Sequence, residues 1–167
     1  RGAYLVGNPG GPAESSHIED CTFEDCWGAE ALGIDNHHGG TTVRNCRFLR
    51  NVGAGSSAGG LGMSGYPPTP KVVEGCLFWD NAAAGGNGSG GGLQAAGPVM
   101  VRANTFVGNT SAYYGAAVYL YYATGSLLNN LFVQNTAPRG AVLPGLVTPS
   151  CNVYWLNDPG YSASSTD

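Results

Sequence analysis

Val43-Arg-Asn-Cys46-Arg-Phe48-Leu-Arg-Asn51 is followed thirty residues later by Val73-Glu-Gly-Cys76-Leu-Phe78-Trp-Asp-Asn81. The shared pattern is an apolar residue, then Cys, then an aromatic, then Asn, at offsets 0, 3, 5 and 8. It begins earlier, at Ile18-Glu-Asp-Cys21-Thr-Phe23. It continues as Val101-Arg-Ala-Asn104-Thr-Phe106-Val-Gly-Asn109 and Leu127-Leu-Asn-Asn130-Leu-Phe132-Val-Gln-Asn135, with Asn replacing Cys. A weaker last copy reads Asn152-Val-Tyr154-Trp-Leu-Asn157. Successive offset-3 residues are separated by 25, 30, 28, 26 and 22 positions.

Each copy carries a second apolar element after a glycine-rich stretch: Leu32-Gly-Ile34, Leu61-Gly-Met63, Leu93-Gln-Ala95, Val118-Tyr-Leu120 and Val142-Leu-Pro144. These alternate with period two, the strand period. Short strands repeated every 22–30 residues specify a solenoid, because one coil cannot bury its apolar side alone. The expected fold is all-β, about five to six coils over residues 1–157, starting mid-coil at Gly2-Ala-Tyr4-Leu-Val, with a polar tail over 158–167. Ser64 to Pro70 and Gly85 to Gly92 read as loops inserted between strands.

The charges test the register independently. Stacking equal offsets, roughly 4.8 Å apart, gives Glu19, Arg44, Glu74 and Arg102 in one row and Asp25, Arg50 and Asp80 in another. The sign alternates in both, which stabilises the aligned register and penalises slips. The same alignment stacks Cys21, Cys46 and Cys76 above Asn104, Asn130 and Asn152. It builds an aromatic column from Phe23 to Tyr154. It places Asn51, Asn81, Asn109, Asn135 and Asn157 at a turn, with Cys26 in the first position. Asparagines buried there are expected to satisfy backbone groups left unpaired by the bend.

Composition narrows the function. Of 167 residues, 28 are Gly and 11% are charged, yet 43% are hydrophobic, which excludes a disordered chain. There is no G-X-Y period and no apolar run long enough to span a membrane. One lysine, Lys71, and a net charge of −4 argue against a nucleic-acid partner. The chain begins at Arg1, as expected of a mature or excised piece of a longer protein. The five cysteines show no zinc-site spacing.

These repeats resemble the right-handed parallel β-helix of pectate-lyase-like proteins. They are closest to the Cys-x-Phe-x-x-Asn and Gly-Gly-Leu repeats of bacterial secreted and surface β-helix proteins. The resemblance implies an extracellular or cell-surface location. It implies no single activity, because that architecture carries lyases, hydrolases, adhesins and autotransporter passengers.

Neither the acidic calcium-and-arginine cluster of the lyases nor the paired Asp and Gly-His-Gly of the polygalacturonases is present. The nearest stretch holds Asp35, His37 and His38, which reads as a polar loop, with a metal site as the alternative. Seven of eleven acidic residues fall within the first 35 positions. They read as a solvated face; calcium is the alternative, and no other cofactor is expected. Cys21, Cys46 and Cys76 read as free buried thiols, and Cys26 and Cys151 stay unassigned. Asn87 heads a glycosylation sequon in an exposed loop; the Asn109 sequon belongs to the inward row.

Two surfaces are candidate binding faces. The outward positions beside the aromatic column turn apolar along the chain: Leu77, Trp79, Val107, Leu131, Val133, Val153 and Trp155. Such a face, with open solenoid ends, implies self-association or a neighbouring domain. The other is a tyrosine cluster of Tyr113, Tyr114, Tyr119, Tyr121 and Tyr122, suited to sugar rings or a protein contact. The reading is a non-enzymatic structural or adhesive module that self-assembles into filaments or surface layers. The alternative is a carbohydrate-binding or polysaccharide-degrading β-helix.

Overall fold

The computed structural model describes residues 3–6, 15–35, 40–55, 58–65 and 69–158. All regular structure there is strand, and every strand pairing is parallel between successive coils. The phenylalanine copies form a six-stranded ladder of Thr22–Glu24, Arg47–Leu49, Leu77–Trp79, Thr105–Val107, Leu131–Val133 and Val153–Trp155. Just past the turn asparagine, Trp27–Gly28, Val52–Gly53, Ala82–Ala83 and Thr110–Ser111 form a short second ladder.

The third sheet contains two ladders. A leucine ladder begins with Ala3–Val6, Leu32–Asp35 and Leu61–Ser64, and a valine ladder begins with Ser16–Glu19, Thr41–Arg44 and Lys71–Glu74. Further along, the connection between them is absent. Leu93–Arg102 and Val118–Leu128 are single long strands that take part in both. The aligned offsets are the actual rungs: Val73 pairs with Val43 and Val101, and Phe78 with Phe48 and Phe106.

Inward residues fill one continuous core. Phe23, Phe48, Phe78, Phe106, Phe132 and Tyr154 stack with centroids 4.6 to 5.1 Å apart and nearly parallel planes. That interval is the strand spacing, about 4.8 Å, so the backbone ladder sets the ring spacing. Lys71 is the exception among apolar neighbours. Its strand position points inward, it is fully buried, and its Nζ donates to the Gly65 carbonyl at 2.6 Å. The chain's one lysine therefore adds nothing to the surface charge.

Each coil bends sharply at two places flanking the phenylalanine strand, and both use left-handed backbone. Asp20, Asn45, Gly75, Ala103, Asn129 and Cys151 occupy the bend before the strand, all with φ between 51° and 65°. Asp25, Arg50, Asp80, Gly108, Gln134 and Leu156 occupy the one after it. This gives Cys151 its place, as an exposed bend residue. Seven of these twelve positions hold Gly, Asn or Asp, the residues that adopt left-handed backbone most readily, whereas Ala103, Cys151, Arg50, Gln134 and Leu156 give no such signal.

Both polar rows do what the bends require. Asn81 is typical: Oδ1 accepts from the Asn51 backbone N–H at 3.1 Å and from Asn51 Nδ2 at 2.8 Å. Its Nδ2 donates to the Phe48 carbonyl and to Asn109 Oδ1, both at 2.9 Å. The cysteines play the same part in the other row. Cys76 Sγ accepts from the Cys46 N–H at 3.4 Å and donates to the Val43 carbonyl at 3.6 Å, where Asn104 accepts from the Cys76 N–H and donates to the Val73 carbonyl. Cys46 and Cys76 are buried free thiols as expected, whereas Cys21 is exposed. Among the described residues it occupies the first rung of its row, so no described rung covers it on that side.

Three further expectations are revised. The stretch from Gly85 to Gly92 is a loop only at its start. From Ser89 onward it packs as coil backbone, with Gly91 and Gly92 buried and Gly92 donating to the Ala116 carbonyl at 2.9 Å. A Cβ on Gly91 would lie 2.2 Å from the Thr110 carbonyl oxygen, so the row admits only glycine there. Asp158, assigned to the tail, bridges to Thr136 and closes the last rung. In the second charged row, Arg50 bonds Asp25 at 3.0 Å and Glu24 rather than Asp80. The first row closes throughout, with Arg44 on Glu19 and Glu74 and Arg102 on Glu74, at 3.0 to 3.3 Å.

Candidate functional site

Tyr119 and Tyr121 stand outward on Val118–Leu128, alternating with buried Val118, Leu120 and Ala123. Strict alternation would turn Tyr122 inward. Instead the register slips there: Tyr121 pairs with Ala96, and Ala123 with Gly97. Tyr122 is the extra residue of a β-bulge, with φ of 49°, and its side chain is 77% exposed. A bulge re-aims a side chain at the cost of local pairing.

Tyr113 and Tyr114 come from the turn before this strand. The Tyr113 N–H donates to the Gly88 carbonyl at 3.0 Å, and Tyr114 forms a bridge with Ser89. The five rings form one chain of contacts. Tyr113 and Tyr114 meet edge-on at 4.3 Å, Tyr114 stacks on Tyr119 and Tyr119 on Tyr121, each at 5.5 Å, and Tyr121 meets Tyr122 edge-on at 6.2 Å.

Arg139 anchors one end. Its guanidinium lies 4.2 Å from the Tyr113 ring centre and 5.4 Å from that of Tyr114, and Nη1 donates to Tyr114 Oη at 2.9 Å. That bond, with a second from Tyr113, lowers the Tyr114 hydroxyl below its ordinary pKa, while burial raises that of Tyr119. Sequence reasoning missed Arg139. The available signal was its separation of 25 residues from Tyr114, one coil length, which places it on the next rung.

Two shallow depressions flank the array. Asn87, Ser89 and Gln94 line one with Tyr113, Tyr114, Tyr119 and Tyr121. Leu143, Pro144 and Leu146 line the other with Tyr119, Tyr121 and Tyr122. Asn87 is exposed, and Asn109 is fully buried.

The apolar stripe is present but uneven. Leu77, Val107 and Val133 are half-buried against their lateral neighbours, and Trp79 and Leu131 are exposed. Exposure is greatest on the last rung, at Trp155 (63%), Val153 and Leu156. Trp27, 68% exposed on the short ladder, was not anticipated.

Asp35 ends a strand of the leucine ladder, and His37 and His38 lie outside the described residues. Among the described residues no three His, Cys, Asp or Glu side chains cluster to hold a metal. Within the acidic N-terminal group, Glu19 is held by Arg44, and Glu24 and Asp25 by Arg50.

The comparison with curated proteins and that with solved structures return no match. A family model described as the right handed beta helix region matches residues 11–143, most of the chain. With its parallel coils and stacked rungs, the chain belongs to the right-handed β-helix family.

Proposed function

We propose that this chain is a non-enzymatic structural and adhesive module, extracellular or at a cell surface, whose tyrosine face makes the contact. The observation that carries this reading is the continuous five-ring array, with one end held by Arg139. Tyrosines suit recognition because each ring offers a flat apolar face and a polar rim at low entropic cost. The scaffold beneath is stiff: inward polar rows satisfy the backbone at every bend, so the rings sit on fixed rungs. The charged side chains of the valine ladder pair with one another, which supports a structural role for them.

The test is adhesion of beads coated with the chain to glycan-coated and protein-coated surfaces. Retention is compared with that of a Tyr119→Ala/Tyr121→Ala variant of unchanged circular dichroism. Loss of retention with the tyrosines supports the reading; equal retention removes it.

A second reading, self-association, is favoured by the exposed Val153, Trp155 and Leu156 on the last rung. Sedimentation velocity across a concentration series tests it. Association that Trp155→Ser abolishes would support it, and a monomer at all concentrations would end it.

A further inference from the structure

Of the described non-glycine residues with left-handed backbone, Tyr122 alone lies outside the two bends that the coils repeat. A bulky residue in that conformation strains the backbone. The ring gains no burial in return, being 77% exposed. Tyr113, Tyr114, Tyr119 and Tyr121 are all half-buried, so the array presents one freely accessible ring. Folding gives no reason for a tyrosine at the bulge.

The five rings stand in single file. Tyr113 meets Tyr114, Tyr114 meets Tyr119, Tyr119 meets Tyr121 and Tyr121 meets Tyr122, with centroids 4.3 to 6.2 Å apart. Aromatic rings this close exchange electrons, so an electron removed from one ring can be supplied by the next. Tyrosine radicals end by joining ring to ring, through the carbons beside the phenol oxygen. That bond needs two ring edges to meet. Within the file the rings meet face to face or edge to face, so none of these contacts has that geometry. Arg139 also covers the Tyr113 ring, 4.2 Å from its centre. Tyr122 is the member whose edge is open to a ring from elsewhere.

We propose that Tyr122 is an oxidative cross-linking site, at which two copies of this chain join through a dityrosine bond, and that the other four tyrosines feed it. Each Tyr122 loses one electron to a one-electron oxidant, such as a peroxidase haem, and its phenolic proton to water. The two neutral radicals pair to form one carbon–carbon bond between ortho carbons. The two ortho hydrogens then move to the phenol oxygens as the rings regain aromaticity. A radical formed on Tyr119 takes an electron from Tyr121, and Tyr121 takes one from Tyr122. At each step the donor releases its phenolic proton and the acceptor regains one. The joined surface is the same on both copies, as in a two-fold contact. Tyr122 shares its depression with Leu143, Pro144 and Leu146, and no described charged side chain lines it, so like charge does not hold the copies apart.

The test exposes the full chain to ruthenium(III) tris-bipyridyl, generated by light with persulfate as electron acceptor. Cys21 and Cys151, both exposed, are alkylated first, because thiols compete for the oxidant. The expected product is a dimer that survives reducing gel electrophoresis, fluoresces as dityrosine and gives a Tyr122–Tyr122 link in peptide mass spectrometry. Tyr122→Phe should abolish it. Tyr119→Phe and Tyr121→Phe each cut the file while leaving Tyr122 in place, and each should lower the dimer yield at equal oxidant dose. Circular dichroism checks both, and either serves if the other fails to fold. Dimers linked through another tyrosine, Tyr66 and Tyr161 included, a bond formed within one chain, or no dityrosine at all overturns the site. A Tyr122 link formed at full yield in the folded file variants overturns the feeding role of the array.

Discussion

Replacing Asn81 by alanine probes the device that closes every coil. The side chain is fully buried and makes four hydrogen bonds to the neighbouring rungs, at 2.8 to 3.1 Å. Two of its partners keep another bond: Asn51 Nδ2 still donates to the Phe23 carbonyl, and Asn109 Oδ1 still accepts from the Asn81 backbone N–H. The Asn51 N–H and the Phe48 carbonyl lose the bond each makes to this side chain. Each such buried loss costs about 1–3 kcal/mol, so Asn81→Ala should lose roughly 2–6 kcal/mol. That is a large share of a total stability of about 5–15 kcal/mol. Asn81→Cys should lose distinctly less, because Cys76 already performs the same accept-and-donate task between rungs. Equilibrium urea unfolding followed by circular dichroism measures all three proteins, with the slope checking that unfolding stays two-state. A loss below about 0.5 kcal/mol for Asn81→Ala, the range of a surface change, would refute the reasoning. So would a cysteine variant no better than alanine.

Arg102 and Arg44 hold the Glu74 carboxyl below its usual range. A lowered folded pKa means stability present above the unfolded value, about 4.3, and lost as pH falls through the folded one. Urea midpoints between pH 6 and pH 3 should therefore drop less for Glu74→Gln than for the unmodified chain. Burial pushes the Cys76 thiol up to about 12, and Cys46 is raised for the same reason. An aromatic disulfide reagent at pH 8 should label the exposed Cys21 and Cys151 quickly and leave Cys46 and Cys76 until denaturant is added. Fast labelling of four or five thiols in the native protein would contradict that burial. Lys71, buried and bonded to Gly65, should resist amine-reactive esters in the native protein and react after unfolding, as read by peptide mass spectrometry.

The fold was legible because its repeat is written in residues that touch their own copies. Phe48, Phe78 and Phe106 recur at one offset since each ring packs on the last, and Glu74 alternates with arginines since it lies between Arg44 and Arg102. What stayed hidden depends on backbone rather than side-chain type. Arg50, Ala103 and Gln134 share left-handed backbone with Gly, Asn and Asp at the same offsets, so identity reveals the bends only in part. The cysteines looked like apolar filler, and their sulfur bonds to the neighbouring rungs appear only once those rungs are in place. The tyrosines were visible as a cluster. That Tyr122 faces out depends on a bulge, and Arg139 joins the cluster only through the coil length.

This division explains where function can reside in such a chain. Inward positions are fixed by stacking, and the bend positions by the asparagine and cysteine rows. Outward positions carry no comparable constraint, and a row of them along the axis can change character from rung to rung. The leucine ladder does so, passing from glycine through glutamine to tyrosine, while the phenylalanine ladder passes from Thr22 and Arg47 to Leu77 and then, two rungs further, to Leu131 and Val153. Alternating charge in the valine ladder is accounted for by pairing. The other two gradients have no such pairing to account for them, and the phenylalanine ladder ends on an exposed Trp155. Folding explains the inside of this solenoid residue by residue, so its outward rows that lack a folding reason are where a ligand or partner should be sought.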